Sequence, residues 1–465
     1  VYKRQAEELI TKDRAHMVHP WTTFEVFDKS GSLLMTRGEG VYIYDSNGHQ
    51  YLDAVGGLWC TNIGLGREEM AEAIAEQVKV MAYANPFVDV TNPPAAELAA
   101  KIAELAPGDI NRVIFTTGGS TAIDTAFRLI HFYQNCRGKH DKKHIIARNA
   151  AYHGSTYAAM SISGKKIDHP PEFDFITDTI HHISYPNLYR PPSGMEGLSE
   201  EQFIDALVAE FENKIEELGG ANKVAAFFAE PVMGAGGVIV PPGDYLQRMW
   251  EVCKKHDILF VADEVVTAFG RLGHWFVSKD VFNVQPDIIT CAKGLTSGYQ
   301  PLGATLFSDR IYEVLSEKGK ERYFPHGFTY CAHPVACAAA LKNIEIIERE
   351  QLLKHVQEVG PYFLQQLETL LDLPIVGDVR GHHFMACVEF VTDKKTRELF
   401  PDELDIGTIV SDHADRLGLM VRPMVHLNVM SPPLVMTKDH VDFIVKTLRA
   451  SIKLAISDLM DKGLL

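Results

Sequence analysis

Six short runs, RVIFTT, HIIARN, VAAFFAEP, ILFVADE, DIITCAK and GATLFS, alternate with helical stretches from about residue 110 onward. Unbroken apolar runs of this length suit strands buried on both faces, and strands separated by helices suit βαβ units in a mostly parallel sheet. Such a sheet binds ligands in the crevice beyond the carboxyl ends of its strands. Two of the runs, Ile258 to Ala262 and Ile288 to Ala292, are followed within one residue by a charge, Asp263 and Lys293. Inside the strand either charge would be costly; at its carboxyl end it opens into the crevice.

Taken alone, Lys293 reads as a surface lysine and Asp263 as a helix cap. The pair in this order, each before a Gly-containing turn, favours a site instead. An aldehyde cofactor with a basic ring nitrogen needs such a pair: an amine to form a Schiff base and a carboxylate to keep the ring protonated.

The 465 residues suit a large α/β core with a smaller appended unit. Hydrophobic content of 46% and charged content of 23% are ordinary for a globular protein. A net charge of −16 repels nucleic acid and anionic membranes, so neither is expected as a partner. The longest apolar candidate for a membrane span, Val224 to Val240, is interrupted by Glu230 and Pro231. The opening VYKRQAEELITKDRAH has no apolar core of a secretory signal, and it has no initiator Met, so residues are expected upstream. Seven cysteines without CxxC spacing fit a reducing compartment. A soluble, cytoplasmic protein is expected.

Along the chain, VYIYDSNGHQYL (41–52) reads as a hairpin around an Asn-Gly turn. Helical periodicity marks 68–82, 94–106, 332–350 and 438–460, and FMACVEF reads as a strand. The segment 168–199, rich in Pro, Tyr and His, is expected to be the longest irregular stretch, near a ligand or subunit contact.

TTGGSTAIDTAFRLI puts Gly118, Gly119 and Ser120 between a strand and an Ala-rich helix, a helix N-terminus able to hold an anion. It matches neither GxGxxG nor GxxxxGK[ST], so a nucleotide finds no support. Beside the Lys/Asp pair a cofactor phosphate is the better reading. Tyr152, ahead of His153 in AAYHGST, is either a ring stacked on a flat heterocycle or a core aromatic. Thr329 in HGFTYCAHP is a candidate second phosphate donor. Trp59 and Phe87, in Gly- or Pro-rich loops, read as pocket wall. The pairs His181-His182 and His382-His383 look like metal ligands, but adjacent residues rarely point at one ion, so no metal is expected. Cys291 reads as a buried structural thiol.

With these residues assembled, the chain resembles the class III (omega) aminotransferases among fold-type I pyridoxal-phosphate enzymes, from GLWC at Gly57 to SPPLVMT at Ser431. The resemblance implies an α/β large domain (76–335) with a mostly parallel central sheet, and a smaller α+β domain built from both termini (1–75 and 336–465). It implies that Lys293 forms the Schiff base with pyridoxal 5′-phosphate and that Asp263 pairs with the pyridine nitrogen. Val265 then packs on the ring face opposite Tyr152, with His153 and Glu230 beside the cofactor. Gly119, Ser120 and, from a neighbouring subunit, Thr329 hold the phosphate. That implies a homodimer with shared sites, or a tetramer of such dimers. Leu58, Trp59, Phe87, Tyr152, Ala235 and Arg422 line the substrate pocket.

Ornithine- and GABA-type members tend to carry glutamate five residues after the Glu of the Glu-Pro motif, where this chain has Ala235. They also tend to place arginine three residues before Pro-Pro-Leu, where it has Val429. Arg422, in a VRPMVHLN loop, resembles the omega-transaminase pattern, in which a mobile arginine binds the acceptor carboxylate and swings away for uncharged amines. Thr121, His382-His383 and Cys331-Ala332 depart from the family pattern. The implied activity is ping-pong transfer of an amino group from a primary amine or omega-amino acid to pyruvate or a similar keto acid, with Lys293 as the base. Rivals are a decarboxylase or aminomutase on the same scaffold and a cofactor-holding protein without turnover. The family's usual S preference would apply.

Overall fold

Three sheets organise the chain in this computed structural model, which describes residues 6–465. β1 (Met35–Glu39), β2 (Tyr42–Asp45) and β3 (Gln50–Asp53) form an antiparallel meander. The Asn-Gly turn closes it as the sequence predicts: Asp45 Oδ1 accepts the N–H groups of Asn47 (2.8 Å) and His49 (2.9 Å), and Gly48 sits at φ 85°.

The central sheet takes β4 (Ile110–Thr116), β5 (His144–Arg148), β6 (Ile180–Ile183), β7 (Val224–Ala229), β8 (Leu259–Asp263), β9 (Ile288–Cys291) and β10 (Gly303–Ser308). Its order is β4-β10-β9-β8-β7-β5-β6. From β6 to β9 the neighbours are parallel, and β10 alone runs against both β9 and β4. Every residue of β7 to β10 is buried, which is why these runs carry no polar alternation.

The segment 168–199 is less irregular than expected, since it contributes edge strand β6. The two histidines inside IHHI break the apolar pattern that marks its neighbours. They do not converge: His181 Nε2 lies 2.9 Å from His144 Nδ1, whereas His182 Nε2 lies 3.0 Å from the Ile162 carbonyl.

β11 (Val376–His382) and β12 (Met385–Phe390) open the third sheet. β13 (Leu419–Met420) leaves it to run parallel to β3, pairing Leu419 with Leu52 and Met420 with Asp53. A C-terminal strand thus completes the N-terminal sheet. β14 (Arg422–Met424) and β15 (Leu427–Met430) finish the third sheet in the order β11-β12-β15-β14. Arg422 therefore belongs to a strand paired with Val429, not to the loop expected from VRPMVHLN. The turn is confined to Val425 and His426, with Val425 at φ 51°. One core joins the terminal segments: Val41, Leu52 and Ile63 pack with Phe363, Phe384 and Leu448.

The remaining expected helices form at Glu68–Val80, Pro93–Leu105, Pro334–Arg349 and Lys438–Asp461. No helix among the described residues is long and apolar enough to cross a membrane.

Candidate active site

The site forms where β7, β8 and β9 end. Asp263 closes β8 and pairs in register with Thr290 of β9, three residues before Lys293. Its side chain is 4% exposed. Oδ2 stands 2.7 Å from His153 Nδ1, and Oδ1 accepts from Val265 N (3.1 Å) and Thr290 Oγ1 (3.3 Å). A carboxylate this far from water is held by partners on both oxygens.

Lys293 begins a single 3-10 turn beyond β9, with φ 45°, in the left-handed region that side chains rarely adopt. Its Nζ lies 5.5 Å from the centre of the Trp59 ring. Burial pushes the Lys293 ammonium down from its ordinary range; Asp263, then Cys60 and Glu230, oppose the shift, and Arg422 reinforces it.

Glu230 follows β7 and is buried. Its Oε1 accepts the Tyr152 N–H (3.1 Å) and its Oε2 the Gly234 N–H (2.8 Å), so one carboxylate ties together the loops that carry Tyr152 and Ala235. Burial raises the Glu230 carboxyl, against the pull of His153.

β4 leads into the helix Gly119–Cys136, whose first-turn N–H groups have no partner inside the helix. Ser120 Oγ accepts the Ser155 N–H at 3.0 Å. A Cβ at Gly154 would stand 2.5 Å from Ser120 Oγ, so glycine lets the Tyr152–Ser155 loop lie flat on the helix start. A Cβ at Gly119 would reach within 3.0 Å of Val265 Cγ1, which puts Val265 against the same helix start. Thr121 closes that turn through its hydroxyl, donating to the Gly118 carbonyl at 2.9 Å.

Trp59 is buried with its Nε1 unpartnered, while Leu58 beside it is exposed. Ala235 is half-buried in the tight Gly234–Gly237 turn, whose Gly237 carbonyl accepts from Arg380 Nε at 2.7 Å. Arg422 is half-buried, and its guanidinium has no hydrogen bond or ion pair among the described residues. Burial raises the Tyr152 hydroxyl and the Asp168 carboxyl and lowers the Lys293 ammonium; the Arg422 charge opposes the first two shifts and reinforces the third.

Two expected site residues make their contacts with other parts of the chain. Thr329 and Phe87 are exposed, Thr329 accepting from Tyr83 Oη at 2.8 Å and Phe87 lying against Gly327. Neither is tied to Lys293 or Asp263 by a hydrogen bond, ion pair or ring contact among the described residues.

Sequence reasoning missed Trp21, whose ring meets Tyr152 edge-on at 5.9 Å. An exposed tryptophan in a polar N-terminal segment carries no periodic signal. Cys60 was also missed, although its position next to Trp59 was available.

The model of the family "Aminotransferase class-III" matches residues 26–452. The chain belongs to the class III aminotransferases. Among curated relatives, putrescine–pyruvate aminotransferase of Pseudomonas aeruginosa is 43% identical over 94% of each chain. Diaminobutyrate–2-oxoglutarate transaminase of Halomonas elongata is 38% identical over 98% of each. Among solved structures, an (S)-enantioselective omega-transaminase from Thermomicrobium roseum superposes with a TM-score of 0.93 at 41% identity, covering 97% of this chain and 99% of that one. The omega transaminase of Pseudomonas jessenii in complex with PMP gives a TM-score of 0.93 at 35% identity, covering 98% and 99%.

Class III aminotransferases use pyridoxal phosphate. The residues of this aminotransferase fit the group. A helix N-terminus that Val265 lies against, a buried carboxylate backed by a histidine and a lysine with a weakened ammonium stand at the ends of adjoining elements of one sheet.

Proposed function

We propose that this aminotransferase moves the amino group of a primary amine or omega-amino acid to pyruvate or a similar small keto acid, yielding an aldehyde or ketone and alanine. Gly119 and Ser120 would hold the cofactor phosphate, Tyr152 and Val265 would flank the ring, and Asp263, backed by His153, would face the ring nitrogen. Glu230 would act beside them by fixing the Tyr152 loop, and Lys293 would meet the aldehyde carbon. Bound pyridoxal phosphate supplies an aldehyde for amine capture and a ring that withdraws electrons.

Lys293 Nζ takes the proton from the donor carbon that bears the amino group, and delivers one to the corresponding acceptor carbon in the return half. Burial weakens its ammonium, which favours the neutral base that this step needs. Leu58, Trp59 and Ala235 shape the space beside it.

The observation that carries the acceptor assignment is Arg422: a guanidinium without a protein partner whose charge reaches both Lys293 and Tyr152. A carboxylate is its natural complement. Ala235 and Val429 leave no second charged group at the positions where ornithine- and GABA-type members carry them.

We further infer a homodimer, or a tetramer of such dimers, in which Thr329 and Phe87 of each chain complete the partner's site. Support comes from their exposure and from the exposed apolar side chains Tyr83, Val88 and Val90 of the same stretch. The division at residues 75 and 335 goes with this reading, since β13 completes the N-terminal sheet.

The test is a colour cycle. The purified protein should lose its cofactor absorbance with a primary amine and regain it with pyruvate. Recovery with 2-oxoglutarate and none with pyruvate would move the acceptor to a dicarboxylate.

A further inference from the structure

Thr125 is fully buried in the helix Gly119–Cys136, and its hydroxyl has one proton to give. That proton goes to the Thr121 carbonyl, 2.7 Å away, because a carbonyl only accepts. Toward His326 Nε2, at 2.8 Å, Thr125 Oγ1 is therefore the acceptor, and the imidazole carries its proton on Nε2. The polar line continues toward the start of the helix. Thr121 donates its own hydroxyl to the Gly118 carbonyl at 2.9 Å and accepts the Thr117 N–H at 3.2 Å. Residues 117, 121 and 125 stand four apart, so the line follows one helix face from the Gly118–Ser120 turn to His326.

His326 lies in a stretch, 321–328, that forms neither helix nor strand. Among the described residues, its bond to Thr125 is the one hydrogen bond by which 323–328 reach another element. Phe324 and Phe328 flank the imidazole in sequence and touch it, with ring centroids 5.4 and 5.3 Å away. Thr329 follows three residues on, a span of at most about 11 Å. Its carbonyl is tied to Tyr83 Oη, while its hydroxyl makes no hydrogen bond among the described residues.

We propose that His326 is a positioning residue: by donating to Thr125 it sets the Thr329 hydroxyl for the cofactor phosphate of the neighbouring subunit. The inference rests on the shared-site reading above, in which each chain lends Thr329 to its partner. One helix then carries both a chain's own phosphate turn and the anchor of the threonine it lends. Loosening that anchor weakens phosphate binding without touching Lys293 or Asp263.

Release of pyridoxal phosphate from the holoenzyme, read by absorbance of the filtrate with no substrate present, tests this apart from turnover. Thr329→Ala should speed release about tenfold, the size of one lost charge-assisted hydrogen bond. His326→Leu should do nearly the same, and joining it to Thr329→Ala should add less than about twofold, since both remove one contact. Thr125→Val, which deletes the acceptor at nearly constant shape, should match His326→Leu and guards against a folding defect at His326. His326→Gln, whose amide can donate to Thr125, should stay within about twofold of wild type. Light scattering should give one assembly mass throughout. Faster release in Thr329→Ala with no change in His326→Leu and Thr125→Val, effects that multiply in the double variant, or dissociation of the assembly in both, overturns the positioning role and leaves the shared site standing. Unchanged release in Thr329→Ala removes the shared phosphate contact and the proposal with it.

Discussion

His153 Nδ1 and Asp263 Oδ2 stand 2.7 Å apart with both side chains closed to solvent. The other oxygen of Asp263 is already committed to Val265 N and Thr290 Oγ1. The imidazole held against Oδ2 fixes the carboxylate's orientation. His153→Ala should therefore keep the fold and the cofactor but lower kcat about ten- to hundredfold, the usual scale for removing such a supporting partner. Stopped-flow measurement of the amine half-reaction checks this. An unchanged rate would show that Asp263 needs no support.

Asp263→Asn should retain cofactor while losing most activity, because an amide cannot pair as an anion with a protonated ring nitrogen. The barrier should rise by about 2–5 kcal/mol, the scale for truncating a buried charge pair. A rate near wild type would displace Asp263 from that role.

Lys293→Ala should abolish turnover with the fold and assembly intact. Among the described residues no other lysine lies at the end of β9, and burial weakens the Lys293 ammonium there. Pyruvate-dependent turnover surviving in this variant would contradict the mechanism.

His383 gives a prediction about stability. Burial pushes its imidazolium down to about 4, with His382 and His274 adding to the shift. The folded protein resists a proton that the unfolded chain accepts near pH 6.5. Stability is therefore fully present above that pH and falls as pH drops toward 4, by on the order of 2–3 kcal/mol. Asparagine tolerates the left-handed backbone at this position, φ 47°. His383→Asn should flatten the acid limb of a Tm-against-pH curve; an unchanged limb would assign the acid sensitivity to other groups.

Much of this architecture was legible in the sequence, for a physical reason. Strands buried on both faces cannot hide a charge, so Asp263 and Lys293 announce the carboxyl edge of the sheet by interrupting it. The Asn-Gly hairpin was equally open, because its turn chemistry is local. What escaped depended on tertiary context. β6 carries two histidines satisfied by different neighbours, so its apolar signal is diluted. Arg422 looked like a loop residue because Pro423 follows it. An edge strand accepts a proline whose missing N–H faces outward, and β14 is at the edge of its sheet. Trp21 meets Tyr152 across 131 positions of sequence, a contact that no pattern in either segment encodes.

The most direct measurement is the pair of half-reactions in Arg422→Ala. If the unpartnered guanidinium grips the acceptor, kcat/KM for pyruvate should fall by roughly ten- to hundredfold, from a lost charge-assisted contact of about 1.5–3 kcal/mol. The half-reaction with an uncharged aryl-alkyl amine should change little, because that donor offers the guanidinium nothing to bind. Equal losses for acid and amine, or no loss in either, would contradict the assignment of this aminotransferase to carboxylate acceptors through Arg422.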